Sequence, residues 1–140
     1  PFEKSANRSY KNKSVVTANK SDMQLVQDTK NAMKGKPVVV SVTLMKPCIV
    51  SEFEKAADAI VVNYETQGQA VMDIIKGKFE PSGLLPMQMP ASMETVEKQF
   101  EDVPRDMDCY QDSEGNKYDF GFGMNWKGVI NDARVQKYAR

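Results

Sequence analysis

The sequence contains no histidine. That removes the commonest general base, the usual metal ligand and any Ser–His or Cys–His catalytic arrangement. Chemistry carried here would have to rest on carboxylates. Cysteine is scarce, with Cys48 and Cys109 the only two, and they match no zinc or redox spacing. They read as two independent thiols, one in the core and one in a loop, and the sequence leaves their pairing open. Net charge is also missing. Lysine plus arginine equals aspartate plus glutamate, 19 each, so there is no bulk electrostatic basis for binding nucleic acid or an anionic membrane. Long apolar runs are absent too. The longest, Val38 to Met45, is strand-sized and rich in β-branched residues, far short of a membrane-spanning helix. No internal repeat or low-complexity segment occurs.

What is present is ordinary for a soluble chain: 41% hydrophobic and 27% charged residues. A length of 140 residues predicts one domain, with a core that needs no metal or disulfide staple. The chain begins at Pro1 and shows no signal peptide, which says nothing about the compartment of a parent protein. The methionines are scattered and read as core filler.

Residues 1–13 are polar, carry Lys4, Arg8, Lys11 and Lys13 without periodicity, and read as a tail or linker. Ser14 to Ala18 reads as a short strand. Ser21-Asp22-Met23-Gln24 has the form of a capping box. The helix it predicts has Met23, Val26, Ala32 and Met33 on its buried side and Gly35 as its stop. Val38–Leu44 follows as a strand whose near-continuous apolar character predicts burial on both faces, as in a parallel sheet. Lys46-Pro47 breaks it. Ser51 to Lys55 reads as a short helix, so Glu52, Glu54 and Asp58 read as surface charges. Ala59 to Val62 is a second buried strand, and Gln69 to Lys76 a helix with Ala70, Val71, Ile74 and Ile75 on one face. Strand, helix, strand, helix is the grammar of an α/β sheet with right-handed crossovers.

The segment from Gly77 to Pro90 is the most informative. Gly77 suits a helix stop, Pro81-Ser82-Gly83 is turn chemistry, and Leu84-Leu85-Pro86 predicts an edge strand or an irregular extended segment. Beyond Pro90 the chain becomes loop-rich. A helical stretch is expected near Met93–Phe100, a turn at Val103-Pro104, a hairpin around Gly115, and a strand leading into a frayed helix over Val129–Arg140.

Three segments, in order, resemble the C-terminal domain of family 3 glycoside hydrolases, the β-glucosidase family. The first is Lys36-Pro37-Val38-Val39-Val40-Ser41-Val42 with Lys46-Pro47 after it. The second runs from Ala57-Asp58-Ala59-Ile60 through Ala70, Asp73, Ile74, Ile75 and Gly77 to Pro81-Ser82-Gly83, Leu85-Pro86 and Pro90. The third is the aromatic-rich Tyr118 to Trp126. Together they span about residues 36–126, the later part of that domain. The chain departs from the family at Val61 to Gln69, where a Trp-Tyr-Pro-Gly-Gln-Glu-Gly-Gly pattern is common and the double glycine is missing here. The resemblance implies an α/β fold: a mostly parallel sheet flanked by helices, a truncated three-layer sandwich with a loop-rich C-terminal extension. It implies residues 1–13 as linker and 14–140 as the domain fragment.

The resemblance also implies the chemistry. Retaining glycosidases use two carboxylates about 5–5.5 Å apart. In the resembled family the nucleophile is an aspartate on a separate N-terminal barrel, and the acid/base usually lies upstream of the Lys-Pro-Val strand. Only Glu3 stands among the glutamates before Pro37, and no motif marks it as the acid. The expectation is a chain without either catalytic residue, inactive alone, that supports and walls the active site of a parent hydrolase acting on terminal β-linked sugars. The implied partners are the barrel domain and the sugar substrate, with no nucleic acid, no membrane, no metal and no cofactor. A periplasmic or secreted parent is implied.

Ligands of open α/β sheets gather at the carboxyl ends of strands. That nominates Met45-Lys46 after the first long strand and Asn63-Tyr64-Glu65 after the second, with Lys46, Tyr64 and Glu65 as the substrate-binding candidates. Tyr64 could stack on a pyranose and Glu65 accept from its hydroxyls, against the plainer reading of a solvated loop. Trp126 with Tyr118 is another candidate sugar platform, although such aromatics at a chain's end more often fill the core or its edge. Asp112–Asn116 lacks the EF-hand ligand pattern. Gly121 and Gly123 lack the third glycine of a nucleotide fingerprint and read as places where backbones approach closely. A non-catalytic carbohydrate-binding or scaffold domain is the alternative reading. A flavodoxin-like domain ranks below it for want of a phosphate loop. A sheet cut from a larger one would expose strand edges, which predicts either cover by the N-terminal arm or self-association.

Overall fold

The structure is a computed structural model that describes residues 20–100 and 103–138; the tail at 1–13 and the strand expected at Ser14 to Ala18 lie outside them. Helix α1 (Lys20–Met33) presents Met23, Val26, Lys30 and Met33 as its half-buried face, the three-and-four spacing of one helix side. Ala32, expected on that face, is exposed. The capping box does not form, because Ser21 already lies inside the helix and Gln24 donates instead to Asp28, one turn on, at 2.9 Å. The helix stops at two successive left-handed residues, Lys34 and Gly35.

Strand β1 (Val39–Thr43) and strand β2 (Ala59–Asn63) pair in parallel, with Val39 opposite Ala59 and Thr43 opposite Asn63. Two 3-10 turns, Val50–Glu52 and Glu54–Ala56, make the crossover. The expectation of burial on both faces of β1 fails: Val39, Ser41 and Thr43 are exposed and alternate with partly buried Val40 and Val42. Among the described residues no third strand joins the pair, and α1 stands off that face across an apolar cleft of about 950 Å³.

Asp58 is more than a surface charge. Its carboxylate accepts from the Val38 backbone N–H at 2.7 Å and from Lys30 at 2.6 Å, while its own N–H donates to the Val38 carbonyl. One side chain thus ties the start of β1, the start of β2 and α1. The Lys30 ammonium, followed by the Val38 N–H, holds its pKa below the usual aspartate value. Glu54 likewise accepts from the Tyr110 hydroxyl at 3.0 Å, anchoring the 3-10 crossover to the C-terminal loops.

Helix α2 (Gly68–Ile75) buries Val71 and half-buries Ile74, leaving Ala70 and Ile75 outside. It ends in a Schellman motif, with Lys78 N–H on the Asp73 carbonyl and Gly77 N–H on the Ile74 carbonyl, both at 2.9 Å. Gly77, at φ 74°, supplies the left-handed residue this stop requires.

The Leu84–Pro90 segment is extended but joins no named strand. Its backbone is held by the C-terminal loops: Leu85 N–H donates to Phe122, Gly121 N–H to Leu85, Met89 N–H to Tyr118 and Tyr110 N–H to Met89, at 2.7–2.9 Å. Pro86 and Pro90 lack N–H groups and donate nothing to this pairing, which is made at Leu85 and Met89. Its side chains close the core. Met89, 1% exposed, packs with Leu44 and Val50. Val42, Phe53, Ile60, Val62, Leu85 and Tyr118 are among the half-buried groups around them.

Helix α3 (Met93–Lys98) starts at Ser92, whose hydroxyl accepts from the Thr95 N–H at 3.2 Å. The hairpin turn at Gly115 forms as expected, with Gln111 bridged to Lys117. Strands β3 (Met124–Asn125) and β4 (Gly128–Val129) pair antiparallel, and helix α4 (Ala133–Tyr138) follows. Arg134 pairs with Asp132 and donates to the Ser82 carbonyl at 2.8 Å, pinning α4 to the Pro-Ser-Gly turn.

Candidate active-site face at the strand ends

Because β1 and β2 run parallel, their C-terminal ends open on the same edge, where Lys46 follows β1 and Tyr64 and Glu65 follow β2. This is the edge at which open parallel sheets present ligand-binding loops. Lys46 is exposed and borders the apolar cleft beside Cys48. Tyr64 and Glu65 are not part of the lining of that cleft, so the three candidates share an edge without converging on one cavity.

Tyr64 is 43% exposed. Partial burial, and after it the nearby Cys48 sulfur, push its hydroxyl pKa up. The phenol therefore stays protonated, a hydrogen-bond donor with an accessible ring. Burial, followed by Glu52, also raises the Cys48 thiol, which disfavours the reactive thiolate. Glu65 is exposed and stands in the left-handed region at φ 56°, a conformation that costs a side-chain-bearing residue roughly 1–2 kcal/mol.

Asn63 organises this edge. It is 8% exposed, the one buried polar residue among those described. Its Nδ2 donates to Ser41 Oγ at 3.2 Å and to the Val42 carbonyl at 3.3 Å. Its Oδ1 accepts from Thr43 Oγ1 at 3.1 Å and from the Thr66 N–H at 3.4 Å. Its carbonyl accepts from Leu44 N–H at 2.9 Å. The sequence nominated Asn63 with Tyr64 and Glu65 as facing the site, not as the residue that organises the edge. The available signal was a carboxamide closing an otherwise apolar strand.

The other candidates separate. Tyr118 is in the core, stacked on Phe122 with ring centroids 4.9 Å apart and edge-on to Tyr110 at 5.3 Å. Burial, chiefly, pushes its hydroxyl up to about 12. Trp126 is 59% exposed, so the two do not form one platform. The Asp112 carboxylate accepts from Glu114 N–H, Asn116 N–H and Asn116 Nδ2 at 2.9–3.0 Å. Burial acts to raise its pKa, but the bonds from Asn116 and Glu114 outweigh it and the net shift is downward. That carboxylate serves its own turn. Among the described residues no three potential acidic or thiol ligands gather into a metal-binding group. Cys48 and Cys109 are both free, and no helix among the described residues is long and apolar enough to cross a membrane.

A sequence profile of the glycosyl hydrolase family 3 C-terminal domain matches residues 5–126. The chain belongs to this family. Among its relatives, a protein named probable beta-glucosidase C from Aspergillus flavus is 32% identical over 104 residues, 71% of this chain and 16% of that protein. Beta-glucosidase C from Emericella nidulans is 31% identical over 91 residues, 65% of this chain and 14% of that protein. The chain thus spans about a sixth of the length of the curated relatives it matches. The crystal structure of a beta-glucosidase from Listeria innocua, solved with isofagomine, aligns with TM-score 0.56 and 22% identity, over 76% of this chain and 17% of that one. That likeness shows the fold, an α/β domain of the family 3 C-terminal type. Tyr118 to Trp126 and the Pro81-to-Pro90 segment, two of the stretches that carried the resemblance, meet around Met89 and Leu85.

Proposed function

We propose that this family 3 domain is part of a β-glucosidase-like hydrolase that releases terminal β-linked sugars, and that it walls an active site completed by an N-terminal barrel domain. The observation that carries this reading is the family match over residues 5–126 with relatives named beta-glucosidase. The catalytic nucleophile belongs to the barrel in this reading, and this chain supplies neither it nor the acid. In support, Glu65 is the only carboxylate among Lys46, Tyr64 and Glu65 at the strand ends, whereas retention needs a close pair.

Lys46, Tyr64 and Glu65 are the substrate-facing groups of this reading. The Lys46 ammonium donates to a sugar hydroxyl, the Tyr64 ring offers an apolar face to a pyranose, and Glu65 accepts from sugar hydroxyls. In the isolated chain the free edge of β1 favours self-association.

The test compares the purified chain with the longer polypeptide encoded by its reading frame, on an aryl β-glucoside. Turnover by the longer protein and none by the chain alone is the expected result. Turnover by the chain alone, or none by the longer protein, overturns the proposal.

A further inference from the structure

Asn63 has an unusual position for a structural amide. A carboxamide offers two N–H donors and, on its oxygen, two acceptor sites. All four are engaged, by Ser41, Val42, Thr43 and Thr66. The group is nearly buried, so it has nothing left for a ligand. Three of its four partners belong to β1 and would suffice to lock the strand pair. The fourth is different in kind. The Oδ1-to-Thr66 N–H bond closes a loop around the two residues between them, Tyr64 and Glu65. This is the local side-chain-to-backbone closure that asparagine performs well. Inside it Glu65 is held left-handed, a conformation that the chain adopts only where its surroundings impose it.

We infer that Asn63 is a positioning residue for the sugar site: through Thr66 it fixes the backbone that presents Tyr64 and Glu65 at the strand ends, and so sets substrate binding and not the chemical step. The inference rests on the functional reading above. Without the Thr66 bond the loop can leave the left-handed arrangement, and the two side chains then meet the sugar from many orientations instead of one. The nucleophile and acid lie elsewhere, so the loss falls on KM.

The experiment uses the full-length hydrolase, an aryl β-glucoside and three forms: wild type, Asn63→Ala and Asn63→Asp. Asn63→Ala loses every side-chain bond, and its KM is expected to rise about tenfold with kcat within about twofold of wild type. Asn63→Asp keeps the acceptor for Thr66 N–H but not the donors to β1. Its melting temperature is expected to fall while its KM stays within about twofold of wild type. A purely structural amide would not separate the two readouts in this way. Where Asn63→Ala does not accumulate as folded protein, Asn63→Ser, too short to reach strand and loop together, is read in its place with the same expected rise in KM. An active wild type whose Asn63→Ala or Asn63→Ser form keeps its KM overturns this inference alone, as does a fall in kcat at unchanged KM. An inactive wild type overturns the functional reading and this inference with it.

Discussion

Two glycines face one another where the Pro-Ser-Gly turn meets the aromatic segment, and a methyl group added to one should act oppositely to a methyl added to the other. A Cβ at Gly123 would lie 2.2 Å from the Gly83 carbonyl oxygen and 3.0 Å from a Leu84 methyl. A Cβ at Gly83 would meet nothing within 4 Å. Ordinary contact distances demand that the segments of Gly123→Ala part by about 1 Å. The adjoining Leu85-to-Phe122 bond is 2.7 Å and the Ile130-to-Gly123 bond 2.9 Å. Stretching either by that much takes it out of hydrogen-bonding range. Two backbone bonds at about 1 kcal/mol each, plus repacking of Leu84, give a cost of roughly 2–4 kcal/mol. Gly83→Ala should be neutral or gain up to about 0.5 kcal/mol from a stiffer unfolded chain. Urea denaturation of the isolated chain, followed by circular dichroism, measures both. A loss below about 0.5 kcal/mol for Gly123→Ala, or equal losses at the two positions, would refute the reasoning.

The Asp58 clamp should make stability depend on acid. Its carboxyl titrates below the usual aspartate value in the folded chain, so its contribution is complete above the unfolded pKa of about 3.9 and disappears as pH falls through the lower folded value. Urea midpoints of wild type and Asp58→Asn should therefore differ near neutrality and converge as pH falls below the usual aspartate range; a gap that is constant with pH would count against the clamp. Burial, then Asp119, pushes the Cys109 thiol up to about 11. In a Cys48→Ser background its reaction with a disulfide reagent at pH 8 should run on the order of 100-fold slower than that of a free thiol. Labelling at the free-thiol rate would show that the site is open and its thiolate unhindered.

Much of this architecture was legible in the residues. The β-branched runs marked β1 and β2 because such side chains suit a pleated surface, and Gly77 marked the end of α2 because the Schellman stop needs a left-handed residue. Gly123 was read as a close approach and is one, whereas Gly121 serves a turn at φ 87°. The failures have physical causes. The box at Ser21 lost to a helix that begins one residue earlier, since a capping side chain acts only where the backbone is still non-helical. Burial of β1 on both faces was inferred from composition, but burial depends on what covers a strand, and the described residues leave one face to the cleft. The tie from Asp58 to Lys30 and Val38, and the closure by Asn63, join residues up to 28 positions apart. Spacing along a chain carries no trace of such pairings. The strand-end edge was found by topology alone; which side chain organises it was not.

The way the Leu84–Pro90 segment is held has a consequence for how the protein is made. The backbone partners of Leu85 are Gly121 and Phe122, those of Met89 are Tyr110 and Tyr118, and the N–H that meets Gly123 comes from Ile130. Leu85 therefore has no backbone partner until Gly121 and Phe122 exist, and Met89 none until Tyr110. The β1–β2 pair needs only a short loop to close, but the core around Met89 waits for the last aromatic segment. During synthesis the two prolines of this stretch leave an extended, apolar and half-bonded ribbon waiting to be matched. Assembly dominated by such distant pairings is slow and exposed to aggregation. Expression of forms cut before Tyr110 should strand that ribbon without these partners, which makes the far end of the chain the part that decides whether a soluble domain is obtained.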